Sequence, residues 1–175
     1  MSDSIKKDVE EWYYHYSNSI FKFIFMMVHD YQQAEDLTHE TFIKAYKNYC
    51  SFEGKAKPRT WLFSIARNIT VDAIRKHKPI KLLKDFILIH KDSDPLPEDI
   101  VEVKENSKEL YKALSSLKRP YREVIILRKI KGFSIKETSD ILNWSEGKVK
   151  TTLYRALPAL ENQLVKEGFL NGRSI

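Results

Sequence analysis

One cysteine, five glycines and six prolines are all that 175 residues hold of the types that most constrain a backbone. A lone thiol, Cys50, cannot close an internal disulfide, so a disulfide-stapled scaffold is excluded and a reducing compartment is expected. No catalytic partner can be named for it, and its expected place is in packing. So few glycines and prolines argue against an all-β fold, which needs many tight turns. The apolar run from Ile20 to Val28 contains Lys22 and falls far short of the ~20 residues that span a bilayer. The first residues, MSDSIKKDVEEW, are polar and acidic, unlike a secretory leader. A cytoplasmic, soluble chain is expected.

Reactive groupings are also missing. His15, His29, His39, His77 and His90 are scattered along the chain. There is no metal-ligand cluster, no glycine loop for phosphates and no nucleophile beside a base. No enzyme activity, catalytic residue, metal, cofactor or small-molecule substrate is therefore expected.

Charge, by contrast, is plentiful: 30 Lys and Arg against 24 Asp and Glu, for a formal net charge of +6. That balance permits a polyanionic partner without requiring one. Its distribution says more. Asp30 to Glu40 holds four acids and no Lys or Arg. Glu53 to Lys78 holds seven basic residues and two acids. Asp85 to Glu102 reverses the sign, with six acids against Lys91 alone. Lys118 to Arg155 returns to ten basic residues and four acids.

Periodicity makes the chain all-helical. Trp12, Tyr16, Ile20, Phe23, Ile24, Met27 and Val28 recur at helical spacing. Asp30 is placed to cap a second helix, in which Ala34, Leu37, Thr41, Ala45 and Tyr49 share one side while Glu35, Asp36 and Glu40 face away. SFEGKAKPR, residues 51–59, is a loop by its Gly, Pro and lysines. A third helix starts near Thr60 with a core face of Leu62, Ile65, Ala66, Ile69 and Ala73, and Pro79 is expected to end it. Pro95 and Pro97 mark a tether, within which Phe86 to Ile89 is apolar enough to pack or dock. A helix is expected from about Val101 to Leu117, and another from Pro120 with Gly132 as its C-terminal cap. The chain thus reads as two helical lobes, each with a basic element, on an acidic tether.

The stretch GFSIKETSDILNWSEGKVKTTLYR reads as two short helices around a tight turn. Ile135, Ser139, Ile141, Leu142, Val149, Leu153 and Leu157 supply a shared core, with Ser139 small at the crossing. Ser145 caps the second helix, which turns Lys148, Lys150, Thr151, Tyr154 and Arg155 outward. Basic and hydroxyl side chains so spaced suit phosphates and major-groove base edges. On charge alone a solvated amphipathic hairpin accounts for the pattern equally well; the small residue and the cap favour DNA. In the third helix, Trp61 and Asn68 lie two turns apart on one face, with Lys55, Lys57 and Arg59 near the same end. An exposed Trp there suits stacking on an unpaired base and Asn suits its edge, whereas Trp61 taken alone reads as core.

The order DYQQAEDLTHETFIKAY, then FEGKAKPRTWLFSIARNITVDAIRK, then GFSIKETSDILNWSEGKVKTTLYRAL resembles bacterial RNA polymerase σ factors of the extracytoplasmic-function group, over roughly residues 8–165. The resemblance implies a σ2 helical domain over 1–79, a linker over 80–104 and a σ4 domain with a helix-turn-helix over 105–175. It implies that Gln33, Glu35, Asp36 and Glu40 dock on the clamp coiled coil of core polymerase, with the flap as a further contact. Phe52, Lys55, Lys57, Arg59, Trp61, Arg67, Asn68 and Arg75 would recognise and melt the −10 element, Asn68 lining the pocket for a flipped base. Lys150, Thr151, Tyr154 and Arg155 would read the −35 duplex, with Lys148 and Thr152 on phosphates. The acidic linker would thread toward the polymerase cleft, and an anti-σ factor, often membrane-anchored, would be the regulator.

Two departures stand out. Pro158, where Arg or Ala is usual, is expected to end or kink the recognition helix and removes a phosphate contact. Trp144 is bulky for the turn and is expected to pack under the helix or alter its approach. Competing readings are a stand-alone helix-turn-helix regulator, a σ-like protein that mainly binds a regulator, and an enzyme acting on single strands that lacks visible catalytic residues.

Overall fold

The apolar stripe of the first segment folds as α1, Ser2–Val28, burying Ile20, Phe23, Ile24, Met27 and Val28. This is a computed structural model; it describes residues 2–87 and 107–168. His29 breaks the helix in the left-handed region, φ 59°. Asp30 then caps α2, Tyr31–Lys47, its carboxylate accepting from the Gln33 N–H at 2.9 Å. Ala34, Leu37, Thr38, Thr41, Phe42 and Ala45 are buried along one side of α2. Tyr49 does not extend that stripe, because α2 stops at Lys47 and a 3-10 turn covers Tyr49–Ser51.

α3, Pro58–Ile87, completes a three-helix unit. Leu62, Phe63, Ala66, Ile69, Val71 and Ala73 are buried, whereas Ile65 is only half-buried. Buried hydroxyls find partners inside their own helices: Thr38, Thr41 and Thr70 donate to the carbonyls of Ala34, Leu37 and Ala66 at 2.7 Å each. That removes the cost of an unsatisfied polar group in the core. Phe23 and Phe63, both fully buried, meet with ring centroids 5.5 Å apart. Pro79 does not end α3, which continues to Ile87. Its flanks, Lys81 to Lys84, are Lys and Leu, good helix formers that propagate the turn past the missing N–H. The rest of the expected tether, residues 88–104, and the start of the helix expected from Val101 lie outside the described residues.

The chain divides into two compact units, Met1–Glu98 and Asp99–Ile175. In the second, α4 (Ser107–Ser115) is followed by α5 (Arg119–Ile125) with Pro120 in its first turn. α5 widens into a π-helical segment, Ile126–Ile130, that periodicity alone did not foretell. Gly132 at φ 73° reverses the chain, and the Phe133 N–H closes onto the Leu127 carbonyl at 2.9 Å. A side chain there would be forced into the left-handed region, which glycine alone enters freely. α6 (Ile135–Leu142) and α7 (Glu146–Lys166) follow.

Leu114, Leu117, Val124, Ile125, Val149 and Ala156 form the core of this unit, with Leu110, Tyr121, Ile135, Trp144, Leu153 and Leu160 against it. Lys112 ties α4 to the end of α7 through Glu167 at 2.8 Å. Leu157 is exposed, contrary to expectation, because Leu153, Ala156, Leu160 and Leu164 already carry the inward face. α7 also runs on through Pro158 to Lys166 instead of ending there. Pro158 and Tyr154 are both exposed, so the carbonyl deprived of its donor can turn to water. Among the described residues there is no strand, and no helix is long and apolar enough to cross a membrane.

Candidate nucleic-acid interface

Each helix of the α6–α7 pair begins on a serine. Ser134 accepts from the Glu137 N–H at 3.0 Å while Glu137 reaches back to the Ser134 N–H at 3.2 Å, a reciprocal capping box. The S-x-x-E spacing of Ser134 and Glu137 is the local signal that announces it. Ser145 accepts from the Lys148 N–H at 3.1 Å and starts α7 as expected. Between them Asn143 takes the left-handed conformation, φ 54°. Ser139, 8% exposed on α6, donates its hydroxyl to the Trp144 carbonyl in the turn before α7 at 2.6 Å. The Trp144 N–H returns to the Ser139 carbonyl at 3.1 Å. One small residue thus fixes the turn from both sides.

α7 emerges from this turn with Lys148, Lys150, Thr151, Tyr154 and Arg155 exposed and Thr152 half-buried. Tyr154 is 82% exposed, unusual for a ring that a core would take. Trp144 packs under the helix onto the core, the first of its two expected fates. Its ring carries the Lys148 ammonium 4.4 Å from its centroid. On α6, Lys136 pairs with Asp140 at 3.0 Å, a hydrogen bond that raises the Lys136 pKa. On α4 and α5 of the same unit, burial pushes the Tyr111 phenol up, opposed by the Arg122 guanidinium, and burial lowers Arg122.

In the first unit the loop before α3 is gathered around Trp12. Its indole stacks on Tyr49 at 5.6 Å and meets Phe52 at 5.3 Å and Trp61 at 6.0 Å. Phe52 and Trp61 also touch, at 5.1 Å. The Tyr49 hydroxyl donates to the Asp8 carboxylate at 2.5 Å, a bond that raises the phenol pKa. Trp61 is therefore half-buried, between the exposed ring that suits stacking and the core residue that Trp61 taken alone reads as. In the sequence Trp12 and Tyr49 read only as members of helical stripes, because contacts across that sequence distance leave no local signal.

Asn68 and Arg75 are exposed on α3, Arg67 is half-buried, and Arg59 lies 5.6 Å from the centre of the Phe63 ring. Lys55 and Lys57 are exposed in the loop, Lys55 paired with Glu53 at 2.5 Å. Cys50 is exposed rather than packed, because the 3-10 turn that brings Tyr49 inward carries its neighbour out. On α2, Asp36 and Glu40 are exposed and Gln33 and Glu35 half-buried; Asp36 accepts from Gln32 at 3.1 Å. Among the described residues no cluster of His, Cys, Asp or Glu could hold a metal ion.

The two units correspond to two family models in order: Sigma-70 region 2 over residues 12–80, and Sigma-70, region 4 over residues 107–160. The ECF RNA polymerase sigma factor SigX of Bacillus subtilis (strain 168) is 40% identical over 154 residues, covering 85% of this chain and 79% of SigX. SigM of the same organism is 37% identical over 165 residues, covering 91% of this chain and 98% of SigM. The chain belongs to the extracytoplasmic-function σ factors. Its fold agrees. The sigma factor RpoE from Bartonella quintana, solved in complex with the anti-sigma factor NepR, superposes with a TM-score of 0.76 at 26% identity, covering 91% of this chain and 98% of that one. As an alternative σ factor the protein joins core RNA polymerase and directs promoter-specific initiation.

Proposed function

We propose that the two units read one promoter in two states. Residues 105–175 act as the σ4 domain and bind intact duplex at the −35 element. Residues 1–79 act as the σ2 domain and hold the separated strand at −10, with the last turns of α3 reaching past that border. Residues 80–104 are the acidic tether between them, threading toward the polymerase cleft. The carrying observation is the capped α6–α7 pair, whose second helix exposes Lys150, Thr151, Tyr154 and Arg155 on a buried, well-anchored base. In this reading those four residues meet base edges while Lys148 and Thr152 meet phosphates. Duplex bases are legible only in the grooves.

At −10 the strand must be unstacked, at a few kcal/mol per step. Capture of a base on aromatic side chains returns about 1–3 kcal/mol. Phe52, Lys55, Lys57, Arg59, Trp61, Arg67, Asn68 and Arg75 make up this surface, with Asn68 on the edge of a flipped base. Gln33, Glu35, Asp36 and Glu40 dock on the polymerase clamp, and the σ4 unit meets the flap. The factor performs no bond chemistry of its own and works in the cytoplasm. An anti-σ factor holds it inactive, as NepR accompanies the similar RpoE; one anchored in the membrane would also tether it there.

Run-off transcription with core polymerase on a random promoter library tests the assignment. Promoter-dependent transcripts should require this chain; their absence across the library would remove it. Tight, selective duplex binding without polymerase would instead favour a stand-alone regulator. Asn68→Ala should lower open-complex formation about tenfold, the worth of one lost base contact of roughly 1.4 kcal/mol, while −35 duplex binding stays unchanged. Normal permanganate reactivity at −10 would contradict this. Arg155→Ala should flatten discrimination at one −35 base pair by about 1–3 kcal/mol. Unaltered ranking of single-base promoter variants would count against that role.

A further inference from the structure

Lys148 stands where a lysine is electrostatically unwelcome. It is the third residue of α7 after the Ser145 cap, at the positive end of the helix dipole. Its ammonium is nevertheless drawn in over the Trp144 ring, 4.4 Å from the centroid, and no acid is paired with it among the described contacts. The ring itself cannot move freely. The Trp144 backbone is held at both its N–H and its carbonyl by Ser139, and the side chain is wedged on the core formed by Val149, Leu114 and their neighbours. The aromatic face attracts the cation without neutralising it. Lys148 remains exposed, so the side of the ammonium away from the ring is open to solvent and to a ligand.

We propose that Trp144 is a positioning residue for promoter binding: it pins the Lys148 charge at the leading end of α7, preset to grip one backbone phosphate of the −35 duplex. This rests on the reading of α7 as the −35 helix and adds to it a residue that reads no base. A free lysine loses much rotamer freedom when it grips a phosphate. A lysine already laid on a fixed ring has given up part of that freedom before DNA arrives. The bulky turn residue thus becomes the support of a phosphate contact.

The test uses the full-length chain assembled with core polymerase, and a duplex carrying a −35 element recovered from the random library. Affinity is measured across a series of salt concentrations. Lys148→Gln should reduce the magnitude of the log K against log salt slope by about one, the signature of one lost phosphate contact. Trp144→Leu should lower affinity by no more than Lys148→Gln does while keeping most of the salt slope, because the ammonium still reaches the phosphate but from a freer side chain, and Trp144→Phe should stay near the parent. The double variant Trp144→Leu with Lys148→Gln should bind no more weakly than Lys148→Gln alone. The relative ranking of single-base −35 variants should be the same in all of them.

Losses that multiply in the double variant, or parental affinity in Trp144→Leu, would overturn the proposal. Should Trp144→Leu loosen the unit in a thermal melt, Trp144→Met fills the space without a ring and carries the same comparison. Arg155→Ala in the same assay separates the two levels of failure. If neither Arg155→Ala nor Lys148→Gln weakens binding, α7 is not the −35 helix. If Arg155→Ala weakens it and the Trp144–Lys148 cycle shows no coupling, only the positioning role is lost.

Discussion

Reversing the charge of Asp36 and Glu40 to lysine should cost the chain its hold on core polymerase while leaving its fold intact. Both carboxylates are exposed, and the only partner described for Asp36 is Gln32, one turn away on the same helix. Exposed substitutions of this kind usually move stability by no more than about 0.5 kcal/mol. The α2 stripe of Ala34, Leu37, Thr38, Thr41, Phe42 and Ala45 stays in the core, so the thermal midpoint should barely change. Association is another matter. If the acidic face meets a basic surface on the clamp, reversal brings like charges together at about 2–3 kcal/mol, a loss of roughly 30- to 140-fold in affinity. Competition against a labelled parent for core polymerase would register it, and promoter-dependent run-off should fall in parallel. The deficit should shrink at high salt, since these groups are screened by solvent. Undiminished competition by a well-folded variant would remove α2 as the docking face.

How much of this was legible in the sequence follows from how far apart the interacting residues are. Asp30 and Ser145 act within three residues of themselves, and both caps could be read directly. Ser139 reads as the small side chain that a crossing of two short helices needs; it is buried, and its hydroxyl holds the turn, a role its size alone does not signal. Pro79 misled, and Pro158, read as ending or kinking its helix, does not end it. Proline's local cost is real, about 3 kcal/mol inside a helix, but α3 and α7 continue through Pro79 and Pro158. In α7, buried Leu164 and the core-packed Leu160 lie beyond the proline and hold the helix on. Local propensity was outweighed by tertiary packing there. The π-helical segment Ile126–Ile130 left no trace in a pattern of apolar residues that fits either helix type. Cys50 was misjudged because a 3-10 turn, invisible in periodicity, carries it outward, while Trp61 is half-buried in an aromatic cluster, nearer to its reading as core than to an exposed ring.

That cluster makes Trp12→Ala the other large effect to expect. Trp12 belongs to α1, yet its ring is the one that touches Tyr49, Phe52 and Trp61 together. Favourable aromatic pairs contribute about 0.5–1.5 kcal/mol each beyond area burial. Because Trp12 is half-buried, the total loss should be about 2–4 kcal/mol, toward the low side of what buried Trp deletions cost. Thermal unfolding of the full chain would show it as a lowered transition. The functional consequence reaches further than the stability. Phe52 and Trp61 flank the basic loop that carries Lys55, Lys57 and Arg59, and without Trp12 the two keep each other but lose the ring they both pack against. Strand opening at −10 should then fall by more than the roughly tenfold expected for Asn68→Ala, below the melting temperature of the variant, since a contact geometry and not a single contact is lost. Duplex binding through α7 should be unaffected, because that helix belongs to the other unit. Trp12→Phe, which restores a ring without the full indole, should recover most of both quantities. Melting that survives Trp12→Ala at a temperature where the protein is folded would show that the loop is held by something other than this cluster.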